Sequence, residues 1–116
     1  MYNASYLPIS KKDIQDISFY ISDTLNAPGA ALDLVDALDK AVSLLEQFPY
    51  THRVYKSPEP LEYEYRVMFV KNYAVFYVVD EDRHAVEIHR VIYAKRDLQK
   101  ALMPGSSNFT EDDLEK

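Results

Sequence analysis

The sequence predicts an α+β domain: a small, twisted antiparallel sheet with a helical hairpin packed on one face, in the order β-α-α-β-β-β. Three observations carry this expectation. Residues 65–97 are dense in Val, Ile, Phe and Tyr, side chains that fit a pleated surface. That stretch is interrupted by the charged turn Asp80-Glu81-Asp82-Arg83 and by the shorter polar break Lys71-Asn72, which divides it into a three-stranded meander. Upstream, two segments repeat apolar residues at intervals of three and four, the spacing of amphipathic helices.

Taken in order, Tyr2, Ala4 and Tyr6 alternate with Asn3 and Ser5, a short strand ended by Pro8. Ser10 has the chemistry of a helix N-cap, with Asp13 three residues on as a capping-box acid. Ile14, Ile17, Ile21 and Leu25 then mark a helix over residues 11–25. Asn26-Ala27-Pro28-Gly29 breaks it, and Pro28 suits the first turn of the next helix. Leu34, Val35, Leu38, Val42 and Leu45 form the buried stripe of that second helix, which Phe48-Pro49 ends. Residues 49–64 read as a loop with three prolines, in which His52-Arg53-Val54-Tyr55 can pair briefly with the sheet edge. After the meander, residues 96–102 suit a short helix. Pro104 to Asn108 read as a linker, so the domain is expected over 1–102 with a flexible acidic tail over 103–116.

With 116 residues the chain suffices for one core. It has no cysteine, which excludes disulfides, thiolate metal sites and a Cys nucleophile. No run has the length of a membrane span and no signal layout opens the chain, so a cytoplasmic protein is expected. The formal net charge of −6 is uneven: −4 over residues 1–52, +1 over 53–102 and −3 over 103–116. That balance argues against a broad nucleic-acid footprint, which needs clustered cations.

Strand parity assigns faces. Tyr65, Val67 and Phe69 oppose Arg66, Met68 and Val70; Tyr73, Val75, Tyr77 and Val79 oppose Ala74, Phe76 and Val78. In the third strand neither Val86-Ile88-Arg90-Ile92 nor Glu87-His89-Val91-Tyr93 is wholly apolar, which predicts a bulge or an edge position. With helices on one side only, function is expected on the open face or its rim.

The runs Tyr65-Arg66, Asn72 to Asp80 and Val86 to Asp97, together with the preceding strand and helices, resemble the RelE/ParE superfamily of toxins from type II toxin–antitoxin systems, of the plasmid-stabilisation type, over residues 2–102. The resemblance implies a bacterial growth inhibitor neutralised by a cognate antitoxin, with a heterotetramer as a candidate assembly and no cofactor. Its branches differ in chemistry. RelE-like members are ribosome-dependent mRNA endonucleases that activate a ribose 2′-hydroxyl; ParE-like members share the fold and poison DNA gyrase. A third reading is an inactive member kept for binding antitoxin.

Residue by residue, the position after the Asn-Tyr turn, an arginine in RelE-like nucleases, is Ala74 here. The two lysines of the preceding strand fall near Arg66 and Met68, the arginine after the last strand is matched by Arg96, and the late tyrosine falls at about Leu102, with Tyr93 nearby. A nuclease reading therefore rests on Arg66, Lys71, Tyr93 and Arg96 as catalytic residues. The run Arg90-Val91-Ile92-Tyr93-Ala94-Lys95-Arg96-Asp97 resembles the ParE-type ending, which favours gyrase inhibition and makes Arg90, Lys95 and Arg96 candidates for contacting target or antitoxin. Each has an ordinary alternative: Arg66 as a surface cation paired with Glu64 or Asp97, Tyr93 as a rim tyrosine, Lys95 and Arg96 as a surface pair. His89 is suited by pKa to acid–base work, but a lone strand histidine is more often structural. Three scattered histidines give no metal-ligand spacing, and Asp33, Asp36 and Asp39 read as a solvated helix face.

Overall fold

In a computed structural model the described residues are 1–102; the linker and acidic tail expected beyond them lie outside the described residues. Strand β1 (Asn3–Tyr6) leads into helix α1 (Pro8–Phe19), a π-helical turn (Tyr20–Thr24) and helix α2 (Pro28–Leu45). Strands β2 (Arg66–Val70), β3 (Tyr73–Asp80) and β4 (Ala85–Tyr93) follow, and a short helix α3 (Leu98–Ala101) closes the described chain.

The meander is antiparallel as expected, with β3 between β2 and β4. The first strand changes the sheet's character. β1 pairs in parallel with β4, from Asn3 opposite Ala85 to Tyr6 opposite Ile88, so the sheet is mixed with strand order β1-β4-β3-β2. The two helices form the connection from the outer strand back across one face. β4 is therefore interior, and its mixed parity comes from a bulge: Phe76 faces Arg90 while Tyr77 faces Ile88, leaving His89 as the extra residue. Below the bulge Val86 and Ile88 join the helix-side core; above it Val91 and Tyr93 do.

Ile17, Leu34, Leu38, Val42 and Leu45 meet Met68, Val70, Val75 and Tyr77 in that core. The expectation of an open second face is corrected by a second cluster. Tyr65, Val67, Ala74, Phe76 and Ile92 are covered there by Ala101 of α3 and by Tyr55, Leu61 and Leu98. The loop earns its place through the edge pairing expected of residues 52–55. The Tyr55 N–H donates to the Tyr65 carbonyl at 2.7 Å and the Val67 N–H to that of Arg53 at 3.1 Å.

Two helix details differ from expectation. The α1 N-cap is Leu7, with Pro8 at the first helical position, where its missing N–H costs nothing. Ser10 lies inside the helix, buried, its hydroxyl donating to the Leu7 carbonyl at 2.8 Å. Helix α1 also stops at Phe19, and the π-helical turn continues the path toward residue 25.

Candidate functional site

Asp13 sits on the same stripe of α1 as Ser10 and Ile17, and all three are buried. Its carboxylate accepts from Arg90 Nε at 2.8 Å and Nη2 at 2.9 Å, and from the Val91 N–H at 3.0 Å. Arg90 Nη1 donates to the Ala101 carbonyl at 2.9 Å. One guanidinium thus fastens α1, the β4 bulge and α3. Arg90, a candidate for contacting target or antitoxin, is only 6 % exposed. Its role in the structure is internal, because a buried charge is tolerated only when paired and hydrogen-bonded.

Arg66 is held at the opposite end of the sheet from the β2–β3 turn. Its Nη1 donates to the His52 carbonyl at 2.7 Å, and its guanidinium lies 4.8 Å from the centre of the Tyr50 ring. Neither Glu64 nor Asp97 forms an ion pair with it. Nearby, Tyr77 donates to the Pro49 carbonyl at 2.9 Å, and Tyr2 and Tyr50 both donate to Glu81. His84 stacks on Tyr2 at 3.8 Å, and His52 meets Tyr77 edge-on. These contacts stitch the loop after α2 to the β3–β4 turn.

The other candidates gather at the far end. Lys71 lies in the β2–β3 turn with φ of 53°, a left-handed conformation. Tyr73 faces Tyr93 across β3 and β4, their rings 5.9 Å apart. The Ala94 N–H donates to the Asn72 carbonyl at 2.8 Å, which brings Lys95 beside the turn, and the Arg96 N–H donates to the Tyr93 carbonyl. Between this end and the helical hairpin lies a cavity of about 370 Å³. Tyr20, Ile21 and Leu25 of the π-helical region form one wall, Asp33 and Leu34 of α2 another, and Lys71, Tyr73 and Tyr93 the third. Burial raises the Tyr73 phenol to about 12, with the neighbouring hydroxyls of Tyr93 and Tyr20 adding to the rise.

The predicted nuclease set is therefore divided. Lys71, Tyr93 and Arg96 share one end, while Arg66 pairs with Tyr77 four residues before Val70 reaches Tyr73. At about 3.4 Å per residue that separates the Arg66 backbone from the turn by roughly 14 Å. Ala74 is 0 % exposed between Phe76 and Ile92 in the second core, so its position is apolar interior. His89 packs edge-on to Tyr63 and Tyr65, with Nε2 3.5 Å from a Glu87 oxygen; burial lowers its pKa and Glu87 partly restores it. Asp33 lines the cavity, whereas Asp39 accepts from Tyr6. Among the described residues no group of three or more His, Asp or Glu could hold a metal ion, and no helix is long and apolar enough to cross a membrane.

Sequence reasoning missed Asp13 as the partner of Arg90 and missed Tyr20 and Tyr73 as cavity walls. The signal for Asp13 was present: spacing from Ser10 to Ile17 puts it on the buried stripe.

The described chain is thus a helical hairpin on a four-stranded sheet whose first and last strands run parallel. A solved structure described as the chromosomal ParDE TA system from P. aeruginosa matches with a TM-score of 0.62 and 18 % identity, covering 78 % of this chain and 94 % of that one. At that identity the likeness concerns the fold. The family model for the ParE toxin of type II toxin–antitoxin systems, parDE, matches residues 5–98, and the chain belongs to that family. None of the curated proteins matches it in sequence.

Proposed function

We propose that this ParE-family toxin inhibits growth by binding a protein target, DNA gyrase, and is neutralised by an antitoxin encoded beside it. The observation that carries this reading is the division of the nuclease candidates. A phosphate-cleaving site needs its cations and proton carriers converged on one reacting group within hydrogen-bond reach. Here Arg66 is engaged with His52 and Tyr50 at one end, Ala74 is buried apolar surface, and Lys71, Tyr93 and Arg96 stand at the other end. The ParE-like ending from Arg90 to Asp97 supports the same branch, with exposed Lys95 and the adjacent Arg96 as target contacts. The matched structure is described as a ParDE toxin–antitoxin system, which supports an antitoxin partner.

Expression of the chain alone in a bacterium, with and without the neighbouring antitoxin gene, tests the toxin reading; growth arrest relieved by co-expression is expected. Supercoiling by purified gyrase then separates the branches. Inhibition of supercoiling without mRNA cleavage in primer extension is the expected result. Cleavage of translated mRNA, abolished by Arg96→Ala, sinks the gyrase reading in favour of the nuclease.

A further inference from the structure

At the β2–β3 turn three features coincide: a cavity, unneutralised positive charge and uncovered apolar surface. The pairing of Tyr73 with Tyr93 and of the Ala94 N–H with the Asn72 carbonyl sets Lys71 and Lys95 on adjoining chain ends. Both are exposed, and no carboxylate among the described residues forms an ion pair with either. The described residues offset neither charge with an ion pair, and a partner's anion at this end would do so. Beside them Leu25 is 54 % exposed, an apolar side chain lining the cavity yet left in water. The π-helical turn produces that exposure. An inserted residue breaks the 3.6-residue period, so the α1 stripe of Ile14, Ile17 and Ile21 does not continue onto the core at Leu25.

We infer that this cavity is the anchor site for an acidic linear segment of the antitoxin. One bulky apolar side chain enters between Tyr20, Leu25 and Tyr93, and a carboxylate adjacent to it reaches Lys71 and Lys95. The cavity volume lies at the small end of the range for specific pockets, roughly 300–1,000 Å³, which suits a single large side chain. Apolar and aromatic walls reward its burial, and the lysine pair fixes the direction of the segment. Asp33, on the α2 wall, disfavours a second acid there and opposes a polyanionic occupant. The inference rests on the antitoxin reading above and names where that partner is gripped.

Calorimetric titration of the purified chain with the antitoxin encoded beside it tests the site. Ala30 lines the cavity from an exposed position on α2, so Ala30→Trp fills the space without entering the core. The double variant Lys71→Glu/Lys95→Glu reverses the charge on two exposed positions. Each is expected to weaken antitoxin binding by about 30-fold or more, the scale of an interface hot spot, with an unchanged melting temperature. The loss in the charge variant shrinks as salt is raised, because exposed charges are screened. Wild-type affinity in either variant overturns the anchor site while leaving the antitoxin reading intact. Absence of binding by the unsubstituted chain overturns both.

Discussion

The two ends of the sheet use similar residues to opposite purposes. Around Arg66, the cation, the tyrosines and Glu81 are spent on one another and on the loop after α2: Arg66 on the His52 carbonyl, Tyr77 on that of Pro49, Tyr2 and Tyr50 on Glu81. At the other end Lys71 and the tyrosines Tyr20, Tyr73 and Tyr93 border a cavity, and neither Lys71 nor Lys95 has an ion-pair partner among the described residues. The stitched end, with the Asp13–Arg90 pair at the bulge, stabilises the fold. The open end leaves these lysines without ion pairs among the described residues and Leu25 in water. Residue type alone does not separate the two uses; the number of internal partners does.

Breaking the stitched side should cost stability in proportion to burial. Asp13→Ala removes the carboxylate from a buried guanidinium and from the Val91 N–H, and a loss of about 3–5 kcal/mol is expected in urea unfolding. A loss below 1 kcal/mol would remove Arg90 from the list of structural residues. Tyr77→Phe deletes one buried hydrogen bond and leaves the Pro49 carbonyl without that donor, for an expected loss of about 1 kcal/mol by the same measurement.

A pH titration probes the bulge. Burial lowers the His89 pKa from its ordinary 6.5, against smaller upward pulls from Glu87 and Glu62. Burial lowers His52 in the same direction. The folded chain therefore binds fewer protons than the unfolded chain just below pH 6.5. Stability is complete above that pH and falls as the pH drops toward the depressed pKa values. His89→Gln should flatten the melting-temperature decline between pH 6.5 and 5; an unchanged decline would assign it to His52 or to the carboxylates. The smallest effect belongs to the open end. Lys71→Glu/Lys95→Glu should leave unfolding free energy within about 0.5 kcal/mol of the parent, since no internal ion pair is lost.

Much of the architecture was legible because it depends on local periodicity. Of the expected stripe, Leu34, Leu38, Val42 and Leu45 are buried as spaced and Val35 is only partly buried, and the turns at Lys71-Asn72 and Glu81–His84 fall where polar residues interrupt β-formers. The confused parity of β4 correctly signalled a bulge. The parallel pairing of β1 was not legible, since strand direction depends on how the helical connection crosses the sheet. Nor was the covering of the second face, which relies on a proline-rich loop with little periodicity of its own. Of the candidate site, the basic end near Lys95 and Arg96 could be read from sequence, and its separation from Arg66 could not.

By itself, then, the sequence determined the elements and their order, because side-chain period and turn chemistry act over a few residues; the family came from resemblance and from the matching family model. Only the tertiary structure decided which charges are structural. Asp13 and Arg90 lie 77 positions apart and meet because α1 packs beside the bulge. Lys71 and Lys95 flank the paired residues Asn72 and Ala94, and neither has an ion-pair partner among the described residues. Whether a cation stabilises the fold or stands ready for another molecule depends on long-range pairing and on the loss of water around it, and neither is encoded in any short stretch of chain.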